Sequence, residues 1–188
     1  MTNLSLTKLN RRHMSVSIQS LWQRIDAIVA RHEPTKCVTP SRVASDEEIF
    51  AVETLLGVKL PDELRLFYQK FSHDWAWRLG RWVIQPLPDL GFLTDCMTGS
   101  TVCDYVFVDS GQYWNPKWID FAEDLDGKKF MCLNLDPDTE VESTGSLFSL
   151  VGEVFEFDME DGHILGEGVS FREWLEDLLT ELESQNQA

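Results

Sequence analysis

The sequence predicts an α+β domain: helices first, a largely antiparallel sheet next, and a closing helix. Three observations carry that prediction. Apolar residues recur at helical spacing up to Phe71, short alternating runs rich in aromatic and β-branched residues follow, and one long amphipathic stripe lies near the C-terminus. The chain has 188 residues, 43% of them hydrophobic and 26% charged, enough for one domain with its own core.

Each element has a local reason. Ser20-x-x-Gln23 has capping-box form, and Trp22, Ile25, Ile28, Val29 and His32 recur at helical spacing until Pro34. Ser45-x-x-Glu48 is a second capping box, opening a stripe of Ile49, Val52, Leu55 and Leu56 that stops at Gly57. Pro61 suits a first helical position, Asp62 and Glu63 favour the positive helix end, and Leu60, Leu64, Phe67, Tyr68 and Phe71 form a third stripe. Strands are predicted at Trp82 to Leu87 and Tyr105 to Asp109. Phe130 to Leu135 alternates Met131, Leu133 and Leu135 against Phe130, Cys132 and Asn134, and Glu153 to Asp158 sets Phe155 and Phe157 against Glu156 and Asp158. Ser170-x-x-Glu173 caps the last helix, Val169 is placed to staple onto Trp174, and Phe171, Trp174, Leu175, Leu178, Leu179 and Leu182 form its buried stripe. Residues 1–19 read as a flexible leader, 20–184 as the domain and 185–188 as a frayed tail.

Composition narrows the function. Aromatic and branched residues are too plentiful for a disordered chain, and no apolar run approaches a membrane span. Cys37, Cys96, Cys103 and Cys132 form no C-x-x-C pair, and Met1 to Ser20 lacks the apolar core of a signal peptide, so a reducing, cytoplasmic location is expected. Net charge is −16, unevenly placed. Residues 1–82 hold 12 Lys/Arg against 9 Asp/Glu, and residues 83–188 hold 4 against 23. Such acidity repels nucleic acid and anionic membranes and invites a cationic partner; solubility is the plainer reading of the same charge.

Motifs for chemistry do not assemble. The four histidines are scattered, so no metal site is expected. Asp136-Pro137-Asp138-Thr139-Glu140-Val141-Glu142 alternates acids as a calcium loop does, but the positions for the loop glycine and the final glutamate hold Val141 and Leu147. Gly166-x-Gly168 lacks the third glycine of a dinucleotide loop, and neither a P-loop nor a nucleophile elbow occurs. No enzymatic activity and no cofactor are expected. The string Trp75-Ala76-Trp77-Arg78-Leu79-Gly80-Arg81-Trp82 has two readings, core packing around the first strand or an exposed Trp/Arg hot spot. In Tyr113-Trp114-Asn115-Pro116-Lys117-Trp118, Trp118 and the following Phe121 read as core, and Tyr113 and Trp114 as exposed partner contacts.

Several strings stand out together: Ala44-Ser45-Asp46-Glu47-Glu48-Ile49, then Leu55-Leu56-Gly57-Val58-Lys59-Leu60-Pro61-Asp62-Glu63-Leu64, then Phe67-Tyr68. Later come Trp118-Ile119-Asp120-Phe121-Ala122 with Asp126-Gly127, Phe130 to Pro137, Gly152 to Phe157, and Ser170-Phe171-x-x-Trp174-Leu175. In this order they resemble the SMI1/KNR4 domain of the SUKH superfamily, over about residues 22–183. The resemblance departs at Phe71-Ser72-His73-Asp74, where members commonly carry Asn-Gly, and at Asn134, often Asp. It implies a mixed α+β domain without enzymatic activity. Bacterial members resemble immunity proteins that bind and neutralise a cognate toxin of a polymorphic or contact-dependent system, and fungal relatives are regulatory modules in cell-wall signalling.

The expected function is therefore toxin neutralisation by a cytoplasmic immunity protein whose partner is a basic toxin, such as a nuclease. The alternative is a regulatory or scaffolding module in envelope signalling. The expected contact patch joins Glu156 and Asp158 on one strand face, Glu160 and Asp161 beyond it, and the ladder Asp136, Asp138, Glu140 and Glu142.

Overall fold

Two capping boxes fix helices that pack against the sheet. Ser45 Oγ accepts from the Glu48 N–H at 3.2 Å while the Glu48 carboxylate accepts from the Ser45 N–H at 2.9 Å. Ser170 and Glu173 repeat the exchange at 3.2 and 3.0 Å. The computed structural model describes residues 17–31, 43–71, 77–92, 117–136 and 151–185. Its helices are α1 (Ile18–Arg31), α2 (Asp46–Leu56), α3 (Asp62–Phe71) and α4 (Phe171–Gln185). The expected box at Ser20 is not used. Helix α1 starts at Ile18, and the Ser20 N–H donates instead to Ser17 Oγ at 3.2 Å, so Ser17 caps it.

The strands are β1 (Trp77–Leu79), β2 (Trp82–Ile84), β3 (Gly91–Phe92), β4 (Trp118–Asp124), β5 (Lys129–Asn134), β6 (Glu153–Asp158) and β7 (His163–Ser170). All pairings are antiparallel, in the order β1-β2-β4-β5-β6-β7, with β3 also pairing β4. The run predicted as one strand from Trp82 to Leu87 ends at Ile84, and Leu87–Asp89 forms a turn of 3-10 helix behind Pro86, which has no N–H for a ladder. Tyr105 to Asp109 lies outside the described residues.

One sheet face packs against the helices. Ile119, Phe121, Met131, Leu133 and Val154 join Trp22, Phe67, Phe71, Phe171, Trp174 and Leu178 in the main core. A bulge makes β4 fit: Asp120 pairs with Cys132 and Ala122 with Met131, leaving Phe121 as the extra residue. Phe121 thereby reaches Phe171 and Trp174, with ring centroids at 5.7 and 5.1 Å. On the other face Trp118, Phe130, Cys132, Phe155 and Phe157 form a second buried cluster, with Trp118 edge-on to Phe155 at 4.7 Å. Central strand β5 is therefore buried on both sides.

The α2–α3 corner shows what its motif does. Gly57 adopts φ 67° and its N–H caps α2, a conformation that favours glycine. Glu53 is 6% exposed, and its carboxylate accepts from the Leu60 N–H at 2.9 Å and from Arg65 Nη1 at 2.9 Å. A charge inside the α2 stripe thus locks the next helix in place. Leu55, expected in that stripe, is 80% exposed. It lies nearly opposite the buried Glu53–Ile49 side once the helix turns at 100° per residue. Tyr68 lies deep between α3 and the sheet, donating from its hydroxyl to Gln85 O at 2.9 Å. Burial first, and the Asp120 carboxylate second, push its pKa well above the usual phenol range.

Candidate partner-binding surface

Strand register brings three turns to one end of the sheet. Trp82 pairs with Asp124 and Lys129 with Asp158, so the β1–β2 turn at Gly80-Arg81 and the turns at 125–128 and 159–162 lie side by side. The Met159 N–H donates to Lys128 O at 2.8 Å, tying two of the turns together. The C-terminal half of α4 closes over the same end. A Cβ on Gly80 would lie 2.9 Å from Leu182 Cδ2 and 3.5 Å from Leu178 Cδ1, and Gly80 has φ 65°, so this junction suits glycine doubly.

Acids shape these turns. Asp124 Oδ1 accepts from the N–H groups of Lys128 and Lys129 at 2.8 and 3.2 Å. Asp158 Oδ1 accepts from those of Glu160 and Asp161 at 2.9 and 3.1 Å. Each carboxylate satisfies backbone donors that a tight turn leaves exposed. Lys128 Nζ meets Glu160 Oε1 at 2.6 Å, and both side chains are exposed. That hydrogen bond and the Glu160 charge, then Asp126 and Asp124, hold the Lys128 ammonium above its usual range.

The expected patch divides. Glu156, Asp158, Glu160 and Asp161 do gather at the turn end. Asp136 lies past the far end of β5, roughly 23 Å from Lys129 at about 3.3 Å per residue. There it pairs with Lys117 at 3.0 Å, and its N–H donates to Asn134 Oδ1 at 3.0 Å. Glu156 is held by Arg81 at 2.6 Å and Lys129 at 3.1 Å. Asp138, Glu140, Glu142, Tyr113 and Trp114 lie outside the described residues. Of the Trp/Arg string, Leu79 and Trp82 are core, and Arg81 is exposed over the Trp82 ring at 4.7 Å.

Every cation of residues 83–188 has a carboxylate partner: Lys117–Asp136, Lys128–Glu160, Lys129–Glu156 and Arg172–Glu63. The acidic excess remains beyond these pairs. At the turn end the exposed acids include Asp126, Glu160 and Asp161 on the turns and Asp177 and Glu181 on α4. Helix α4 has no basic residue in its last turn, so its negative dipole end adds to the same field. Asp126 was named from the sequence only with Gly127 in the family resemblance, and Asp177 and Glu181 not at all, although their i, i+4 spacing on the polar face of the stripe was there to read. Such a surface offers acceptors and negative potential to Lys and Arg side chains.

Among the described residues, no group of three or more His, Cys, Asp or Glu side chains is placed to hold a metal ion. Among them, too, no helix is long and apolar enough to cross a membrane.

An antiparallel sheet backed by capped helices, with one strongly acidic end, defines a small α+β domain. The chain belongs to the SMI1 / KNR4 family (SUKH-1), whose family model matches residues 43–177. That span is narrower than the 22–183 read from the sequence, and α1 lies before it. No curated protein matches the chain.

Proposed function

We propose that this protein is a non-enzymatic immunity protein that binds a basic toxin in the cytoplasm and neutralises it. The observation carrying this reading is the acidic end of a SUKH-1 domain, where turns and α4 add exposed carboxylates although every cation of residues 83–188 already has a carboxylate partner. A nuclease toxin must be basic to hold phosphates, and an acidic surface both steers to it and competes for its substrate groove. No nucleic acid, membrane or cofactor enters the reading.

The test is affinity capture from source-cell lysate with this protein as bait, at about 50 mM and about 500 mM salt, since exposed charges lose their reach as the Debye length shrinks. The expected result is one basic partner that kills cells when expressed alone and is harmless when co-expressed with this protein. A non-toxic signalling partner would move the reading to a regulatory module. With the toxin in hand, Asp126→Lys combined with Asp161→Lys and Glu181→Lys should slow association at least roughly tenfold at low salt. An unchanged on-rate would remove the turn end from the interface.

A further inference from the structure

Helix α2 carries two apolar faces, and the core uses one. Ile49 and Val52 are buried. Glu47, Phe50, Ala51, Thr54 and Leu55 fall at i, i+3, i+4, i+7 and i+8, the spacing of a complete helix stripe, and all five are exposed. Phe50 is 67% and Leu55 80% exposed, and Val43, just before the helix, is 50% exposed. Leu125 and Val151, by contrast, are single exposed residues in turns, which any surface tolerates. Helix stability gives no reason for a phenylalanine at an exposed position, where it is a poorer helix former than Ala, Glu or Lys.

We infer that the outer face of α2 is a docking surface for a partner segment with an apolar ridge flanked by lysine or arginine. Phe50 and Leu55 stand about 140° apart around the helix, with the smaller Ala51 and Thr54 between them, a shallow channel that fits a ridge. The Thr54 hydroxyl donates to Phe50 O at 2.7 Å, so its polar atom is already satisfied. A capping box, Gly57 and the Glu53–Arg65 pair hold the α2 backbone at both ends, so little backbone ordering cost falls on association. Charge selects the occupant. The helix opens Asp46-Glu47-Glu48 and has no Lys or Arg along its length. A second copy would bring the same Asp46-Glu47-Glu48 start to the same face, so like charges oppose self-association there. The inference does not depend on the partner being a toxin.

The probe is a Leu/Lys amphipathic peptide of about 18 residues, long enough to form a helix on contact. It would be titrated into the 15N-labelled full chain beside an equally charged Ser/Lys peptide and a Leu/Glu peptide. Amide shifts should centre on Glu47, Phe50, Ala51, Thr54 and Leu55 with the Leu/Lys peptide alone. The double variant Phe50→Gln/Leu55→Gln, which keeps charge and helix propensity, should bind roughly tenfold more weakly. Its melting temperature should stay within about 2 °C of the parent. Three results would overturn the inference. Shifts centred on α4 or the sheet turns, or equal binding of the Ser/Lys or Leu/Glu peptide, would show that apolar docking on α2 is not selected. A melting temperature lowered by several degrees would show that these side chains pack within their own chain. Self-association that the double variant abolishes would make a second copy the occupant.

Discussion

The α2–α3 corner and the turn end of the sheet each hold a carboxylate against a cation at hydrogen-bond distance, and the two pairs do different work. Glu53 meets Arg65 at 2.9 Å with its side chain 6% exposed, whereas Glu160 meets Lys128 at 2.6 Å with 62% exposed. The shorter contact is the weaker stabiliser. Water solvates both exposed partners about as well as they solvate each other, while a buried carboxylate that loses its partner keeps its desolvation cost. The buried pair thus holds the α2–α3 corner in place, and the acids at the turns stay in contact with solvent.

The largest expected effect breaks the buried pair. Arg65→Ala should cost about 2–3 kcal/mol in urea unfolding, less than for a fully buried pair because Arg65 is 26% exposed. Glu53→Gln should cost less, about 1 kcal/mol, since its amide oxygen still accepts from the Leu60 N–H. Equal losses for the two would mean that charge, not the accepted backbone hydrogen bond, dominates the corner.

Tyr68 sharpens the contrast through pH. Tyr68→Phe leaves the Gln85 carbonyl without its donor and should cost about 1–2 kcal/mol near neutrality. Because folding raises the Tyr68 pKa, the unfolded chain releases the phenolic proton first as pH climbs past about 10. Tyr68 therefore contributes fully below that pH, and stability falls with pH above it. Urea midpoints between pH 9 and 11 should fall more steeply for the parent than for Tyr68→Phe, and parallel slopes would assign the alkaline loss to other groups.

These residues also mark where sequence reading stops. The α2 and α4 capping boxes, the α3 and α4 stripes and the alternation of β6 were legible because each is a local pattern that the backbone must satisfy locally. Glu53 was not legible. A carboxylate in a helix stripe looks like a surface residue until Leu60 and Arg65, 7 and 12 positions on, fold back onto it. Strand β7 was missed for a related reason. Gly166 and Gly168 fall where the β6–β7 register shifts, between the Val154–Val169 and Glu156–Leu165 pairs, and glycines within a strand hide its alternation. The acidic candidate patch was read as one because both acid runs fall within residues 83–188, where 23 Asp/Glu stand against 4 Lys/Arg. Antiparallel register decides the distance instead, and it sends Asp136 to the opposite end of β5 from Asp158.

The smallest expected effect is the most discriminating. Lys128→Ala and Glu160→Gln each remove one side of an exposed pair, and neither should move the urea midpoint measurably. They act oppositely on charge. The first uncovers Asp124, Asp126 and Glu160 and makes the turn end more negative, and the second makes it less so. NMR titration of Lys128 gives a readout that folding alone would not move: its ammonium should titrate above the ordinary lysine range in the parent and move back toward it in Glu160→Gln. The return should be partial, because Asp126 and Asp124 remain to favour the charged form. A midpoint lost on the scale of Arg65→Ala would instead make the turns part of the framework. The distinction between a corner that holds the fold and an end free of that task, which the proposed function requires, would then fail at the place where it is easiest to measure.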